Sequence, residues 1–289
     1  MKLQKSFEQK EAAVYVVPTP IGNLEDITYR ALSILTSVSV IAAEDTRNTK
    51  NLLRHFDIAT PLISYHEHNK LAREDQLIMR VKNGESIALV SDAGMPVISD
   101  PGQELVQAAV AEDISVVVLP GANAALCALV GSGLSAKEFY FYGFLPRKKK
   151  EKEAELDRLA LIQATLLFYE SPYRLKDTLK ALQEVLGNRK ATLARELTKR
   201  FEEYLRGTLE EVLTYVSNHE IKGECCIVVE GALQASQQNS LWWSRLSIEE
   251  HIDYYCRTNG MSSKEAIKLV AKERQLPKRE VYQKYHMNE

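Results

Sequence analysis

Ile87-Ala88-Leu89-Val90-Ser91-Asp92-Ala93-Gly94-Met95-Pro96-Val97-Ile98-Ser99-Asp100-Pro101-Gly102 decides how the chain is read. Its first four residues are an apolar run of strand formers that ends abruptly in Ser-Asp-Ala-Gly, the pattern of a buried strand emptying into a loop. Ser99 or Asp100 can accept a bond from a free helix amide and Pro101 suits a first helical turn, so a helix is expected over 102–110. Between strand and helix lies a polar, glycine-containing loop of the kind that holds a small ligand at the carboxyl edge of a parallel sheet.

The flanking sequence repeats this rhythm. Strand-like runs at 14–17, 38–43, 62–65 and 116–119 alternate with helical patterns at 28–35, 49–56 and 71–82, the first opened by Thr28 and the last stopped at Gly84. That alternation predicts a mostly parallel α/β sheet. Beyond it come a small-residue helix (124–130), strands at 139–144, 166–170, 191–196 and 225–230, and an antiparallel candidate at 201–208, a mixed α+β pattern. A polar stretch, 234–240, reads as a linker, and 247–256, 262–272 and 277–285 as three short amphipathic helices. The expected organisation is an N-terminal α/β domain (13–122), a second domain (123–233) and a helical extension (241–286).

With 289 residues, 45% of them hydrophobic and 26% charged, the chain is long enough to bury a sizeable core, and its formal net charge of -2 gives no global attraction to polyanions. The four cysteines include no CxxC pair, and adjacent Cys225 and Cys226 would face opposite sides of a strand, so buried thiols in a reducing compartment are expected. No stretch reaches the roughly 20 apolar residues that span a bilayer. Residues 1–10 also lack the apolar core of a signal peptide, and the expectation is a cytoplasmic protein.

Gly131-Ser132-Gly133-Leu134-Ser135-Ala136 matches GxGxxA, but a helix precedes it and a strand follows, the reverse of the dinucleotide fingerprint; a helix stop is the better reading. His66-Glu67-His68 beside a strand end reads as a solvated turn rather than a metal site. More informative are four polar or glycine-bearing turns after strands: 18–23, 44–47, 91–96 and 120–123. One alone would be ordinary tight-turn chemistry, but four at successive strand ends of one sheet outline a site.

Val17-Pro18-Thr19-Pro20-Ile21-Gly22-Asn23-Leu24, Ala42-Ala43-Glu44-Asp45-Thr46-Arg47, Ser91-Asp92-Ala93-Gly94, Phe168-Tyr169-Glu170-Ser171 and Ala194-Arg195-Glu196-Leu197-Thr198-Lys199 together resemble the tetrapyrrole methylase superfamily. Within it they are similar to the branch that methylates a ribose 2′-oxygen of small-subunit ribosomal RNA. The resemblance runs through most of 13–233 and departs at Met95 and at Ala122-Asn123. It implies a two-domain α/β fold, S-adenosyl-L-methionine as cofactor, a decoding-region cytidine of 16S rRNA within the small ribosomal subunit as substrate, and a homodimer; no metal is implied. By the same resemblance Pro18, Ser91, Asp92, Ala93, Gly94, Met95, Pro96, Ala122, Asn123, Ala124, Tyr169, Glu170, Ala194 and Cys226 would surround the cofactor. Asp92 reads equally well as a turn-stabilising residue.

Methyl transfer from a sulfonium is an in-line displacement whose acceptor hydroxyl must lose a proton, so a nearby base or cation is required. Glu44 or Asp45 is the first candidate base, with Glu170 and Glu196 as second choices. Arg47, Arg195 and Lys199 are candidates for gripping phosphate or facing the developing oxyanion. For RNA, the run Arg147 to Lys150 with Lys152, beside aromatic residues 139–144, and the stripe Lys264, Lys268 and Lys272 are candidate contacts, although both can simply be solvated helix faces. Two other readings stay open: the same fold acting on a tetrapyrrole or protein side chain, and a non-catalytic cofactor-sensing RNA-binding protein.

Overall fold

Apolar side chains in the first half alternate between two faces of a sheet. Strands β1 (Ala13–Val16), β2 (Val40–Ala43), β3 (Leu62–Ser64), β4 (Ile87–Val90) and β5 (Ser115–Val118) are all parallel, in the order β3-β2-β4-β1-β5. Ala13, Ile41, Ala88 and Val90 pack against Ala31 and Leu35 of α1 (Tyr29–Ser37) and Leu53 of α2 (Thr46–His55). Val14, Val40, Ile87 and Leu89 pack against Leu77 and Val81 of α3 (Lys70–Lys82) and Leu105 and Ala109 of α4 (Gln103–Ala111). Covered on both sides, β2 and β4 are buried at every position. β1 and β4 are neighbours, yet the chain leaves β1 for one face and β4 for the other, which opens a crevice at their carboxyl ends. The computed structural model describes residues 3–6, 8, 11–66, 70–232, 243, 246–274 and 276–286.

Local signals set most helix starts. The Thr28 hydroxyl accepts from the Ala31 amide at 3.0 Å to cap α1. The start of α4 differs from the sequence expectation: neither Ser99 nor Asp100 caps it, and the N-cap is Gly102 at φ 132°. Tertiary packing is the reason, because Gly102 lies so close to β4 that a Cβ there would stand 2.5 Å from Leu89 Cδ2. Val97 and Ser99, at φ 77° and 65°, turn the loop before it, a strained arrangement for non-glycine residues.

The second sheet contains β6 (Phe139–Phe144), β7 (Thr165–Glu170), β8 (Lys190–Arg195), β9 (Glu203–Thr208) and β10 (Cys225–Val229), in the order β6-β7-β10-β8-β9. β6 is parallel to β7 and the other pairs are antiparallel. One face, with Phe168, Leu193, Cys225 and Ile227, is covered by α6 (Lys149–Leu159), α7 (Pro172–Leu186) and α8 (Leu209–Asn218). The other, with Leu167, Ala194, Cys226 and Val228, packs on α5 (Ala124–Ser132) and on Ile21 from the loop after β1. The two adjacent cysteines therefore do face opposite ways. α8 is an addition to the sequence reading, although its capping box, Thr208 with Glu211, is legible there.

Both sheets belong to one unit, Met1–Ala232, and Leu233–Glu289 form another. In the latter, α9 (Ile248–Asn259), α10 (Ser263–Glu273) and α11 (Lys278–His286) enclose Ile252, Ala266, Ile267, Val270 and Val281. The expected linker 234–240 lies outside the described residues, as do Glu67 and His68. Among the described residues no helix is long and apolar enough to cross a membrane.

Candidate active site between the two sheets

Three loops at the carboxyl edge of the parallel sheet are tied together. Thr19 and Gly94 exchange two backbone bonds of 2.9 and 3.0 Å, and the Thr19 hydroxyl donates to the Ser91 carbonyl at 3.1 Å. The Asp92 carboxylate accepts from the Asp45 amide at 3.1 Å and from Asn48 Nδ2 at 3.0 Å, joining the β4 loop to the start of α2. The β1 loop also meets the second sheet: the Asn23 amide donates to Thr198 Oγ1 at 3.0 Å, and a Cβ on Gly22 would collide with Lys199 Cγ.

Between these loops and the second sheet is a cavity of about 380 Å³. Ile21, Met95, Tyr169, Ala194, Leu197 and Cys226 give it apolar walls, and Glu44, Asp92, Asp100 and Glu224 bring carboxylates to it. Tyr169 is fixed by the Ala125 amide, which donates to its hydroxyl at 3.1 Å, and by the rings of Phe141 and Phe144 at 5.0 and 5.7 Å. A second, more open groove of about 730 Å³ adjoins it; Asp92, Glu196, Lys199 and Glu224 border both spaces. At that junction Lys199 Nζ lies 3.0 Å from Glu196 Oε1.

Confinement shifts the titration of two of these carboxylates, Glu44 and Asp100. Burial, with the charge of Asp92 next, raises the pKa of Glu44. Asp100 is pushed up to about 7, first by burial and then by Glu44. Asp45 moves the other way, to about 2, because Arg47 hydrogen-bonds it. Burial raises the thiol of Cys226 and pushes that of Cys225 up to about 12, so neither is a nucleophile near neutrality. The cavity is an apolar slot with an anionic wall, complementary to a compact organic cation.

The model of the Tetrapyrrole (Corrin/Porphyrin) Methylases matches residues 13–213. The chain belongs to the tetrapyrrole methylase family. It is similar to proteins named ribosomal RNA small subunit methyltransferase I. Identity is 53% with that of Halalkalibacterium halodurans, covering 99% of each chain, and 51% with that of Bacillus subtilis, covering 100% of each. Among solved structures, the Thermus thermophilus uroporphyrin-III C-methyltransferase complexed with S-adenyl homocysteine shares the fold at a TM-score of 0.55 and 20% identity, over 76% of this chain and 97% of that one. A diphthine synthase does so at 0.60 and 14%, over 80% and 95%.

In this tetrapyrrole methylase, of the residues singled out from sequence, Glu44, Asp92, Ala93, Gly94, Met95, Asn123, Ala124, Tyr169, Glu170, Ala194, Lys199 and Cys226 line the cavity. Others do not. Asp45 caps α2 and is held by Arg47 at 2.6 Å, and the Arg47 side chain is 87% exposed. Arg195 is turned to its cross-strand neighbour Glu203, with which it forms an ion pair, and to the Lys222 carbonyl at 3.4 Å. Pro18 is buried against Gly121, where a Cβ would come within 2.6 Å of its own. Ser91 borders the groove and its hydroxyl folds back on the Gly94 carbonyl at 3.3 Å, while Pro96 and Ala122 line neither space.

Two further readings are corrected. Although Glu170 borders the cavity, its carboxylate is spent: it accepts from Thr178 Oγ1 at 2.7 Å and from the Ser171 amide at 2.8 Å, with Arg174 3.5 Å away. Thr178 in turn accepts from Lys152 Nζ at 3.3 Å, so Lys152, 8% exposed, belongs to the core and not to a basic surface. Lys148 and Lys149 pair with Glu151 and Glu153 on their own helix. Sequence reasoning missed Asp100 and Glu224 as site residues. Asp100 looked like a helix cap, and Glu224, just before β10, carries no local signal.

Proposed function

We propose that this chain transfers the methyl group of S-adenosyl-L-methionine to the 2′-oxygen of a decoding-region cytidine, cytidine 1402, of 16S ribosomal RNA. It does so in the cytoplasm, as a homodimer, on RNA held in the small ribosomal subunit. The observation that carries this reading is the anionic, apolar-walled cavity that shares the Lys199–Glu196 pair with a polar groove beside it. Near-full-length similarity to proteins named for this RNA supports the acceptor.

S-adenosyl-L-methionine, when bound, supplies a methyl group on a cationic sulfur. Glu44, Asp100 and Asp92 would offset that charge, and Met95, Tyr169, Ala194 and Cys226 would hold the apolar parts of the cofactor away from water. Holding both reactants in line is worth as much as about 7–11 kcal/mol. The ribose hydroxyl, a weak acid, meets the chain where the two spaces join: Lys199 faces its developing charge and Glu196 takes its proton. Glu196 replaces Glu44 as the base in this reading because it borders both cavity and groove, whereas Glu44 borders the cavity alone.

Incubation with labelled S-adenosyl-L-methionine and undermethylated small subunits, followed by separation of RNA from protein, tests the assignment. Label in 16S rRNA is expected, and light scattering of the protein should give twice the chain mass. Cofactor binding with label in ribosomal protein, or in no acceptor, would refute it.

A further inference from the structure

The open groove has a wall that the reaction just described does not use. Asn48, Asn51, Leu52 and His55 of α2 line it, at spacings that place them on one side of the helix. On a second side Leu53 is buried in the core of the parallel sheet, and Thr49, also buried, borders the groove between the two sides. Arg47, Lys50 and Arg54 are exposed on a third side, roughly a third of a turn from the groove-lining side. Resting on the RNA reading above, we infer that α2 is the nucleotide-reading wall of the acceptor site. Its Asn51–His55 face holds the base of the acceptor nucleotide in the groove, and its Lys50–Arg54 face takes the neighbouring phosphates.

The side chains available there fit that division. Asn48 uses Nδ2 on Asp92 and keeps its carbonyl, while the Asn51 carboxamide makes no side-chain hydrogen bond among the described residues. A free carboxamide can accept from an exocyclic amine and donate to the adjacent ring nitrogen, the pair that a cytosine presents on its pairing edge. His55 is exposed and adds a ring for stacking. Asp92, Glu196 and Glu224 on the groove repel phosphate, so the backbone stays at the rim while base and ribose enter. On the adjoining exposed side of α2, Lys50 and Arg54 form no ion pair among the described residues, unlike Lys148 and Lys149 of the more conspicuous basic run. The charge of Arg47 is shared with Asp45.

The test is steady-state methylation of undermethylated small subunits by wild type, Asn51→Ala, His55→Ala and the double variant Lys50→Ala/Arg54→Ala, with the cofactor Kd measured in parallel. Asn51→Ala and His55→Ala should each raise KM for the subunits about tenfold, the scale of removing one hydrogen-bonded or stacked base partner. The double variant should flatten the dependence of log KM on log salt by about 0.7 for each phosphate it no longer neutralises. Cofactor Kd should stay within about twofold in all of them, showing an intact fold. Unchanged KM and salt slope in every variant, with wild type active on RNA, overturns this inference alone. Wild type that transfers no methyl group to RNA overturns the acceptor assignment and this inference with it.

Discussion

Replacing Asp100 with Asn should weaken cofactor binding and stabilise the cofactor-free protein at the same time. In the free protein burial and Glu44 hold Asp100 near pKa 7. A cation in the cavity should return it toward the ordinary carboxylate range, so binding is expected to expel its proton. Wild-type affinity should then fall about tenfold between pH 8 and pH 6, with about 0.9 proton released per cofactor at pH 6 and about 0.1 at pH 8. Asn removes this slope and one charge facing the cation, a loss of about 1.5–3 kcal/mol, or about 10- to 100-fold in Kd at pH 8. Stability carries the opposite sign. A carboxyl whose folded pKa is raised contributes stability that is complete below its unfolded pKa and is lost as pH climbs through 7. At pH 8 the native state therefore bears an unfavourable charge. Removing it should stabilise by about 1–2 kcal/mol after allowing for partial solvent screening, or about 2–8 °C in Tm. Titration calorimetry in buffers of different ionisation enthalpy, with thermal melts at pH 5 and 8, reads all three quantities. No proton exchange at pH 6, or a variant less stable than wild type at pH 8, would refute the reasoning.

Other substitutions separate the roles assigned here. Lys199→Ala should lower kcat by about 10²–10³-fold while leaving cofactor Kd within about threefold, as for loss of one group facing a developing oxyanion; a change confined to Kd contradicts that role. Glu170→Ala should cost about 3–5 kcal/mol in chemical denaturation, because it leaves the buried Thr178 hydroxyl and the Ser171 amide without their acceptor and Arg174 without its ion-pair partner. Arg195→Ala, which breaks a partly exposed cross-strand pair, should cost about 1 kcal/mol or less and leave kcat within about twofold; a hundredfold fall would place Arg195 at the reacting atoms.

The elements legible in the sequence are those whose causes are local. Ile87 to Val90 is an apolar run whichever way the chain folds around it, and Thr28 caps whatever helix follows it. The four turns at strand ends could be read because each is polar where a strand must stop. What was misread depends on residues far apart in the chain. The start of α4 is fixed by the approach of Gly102 to Leu89, which frees Asp100 from capping and leaves it on the cavity wall. Lys152 sits in a run of charges, but Thr178 and Glu170, on other elements, draw it inside. Arg195 and Glu203 become partners through the register of an antiparallel pair that no local pattern specifies. Asn51 and His55 read as ordinary helix surface until the second sheet closes a groove beside them.

Alkaline hydrolysis of 16S rRNA labelled by the protein tests the central claim most directly, because alkali cuts RNA through the free 2′-oxygen and a methyl group there blocks the cut. The label is expected to survive in an alkali-stable dinucleotide whose first residue is cytidine. Label released as a mononucleotide would mean that a base is methylated, and would contradict the assignment of ribose chemistry to the Lys199–Glu196 junction.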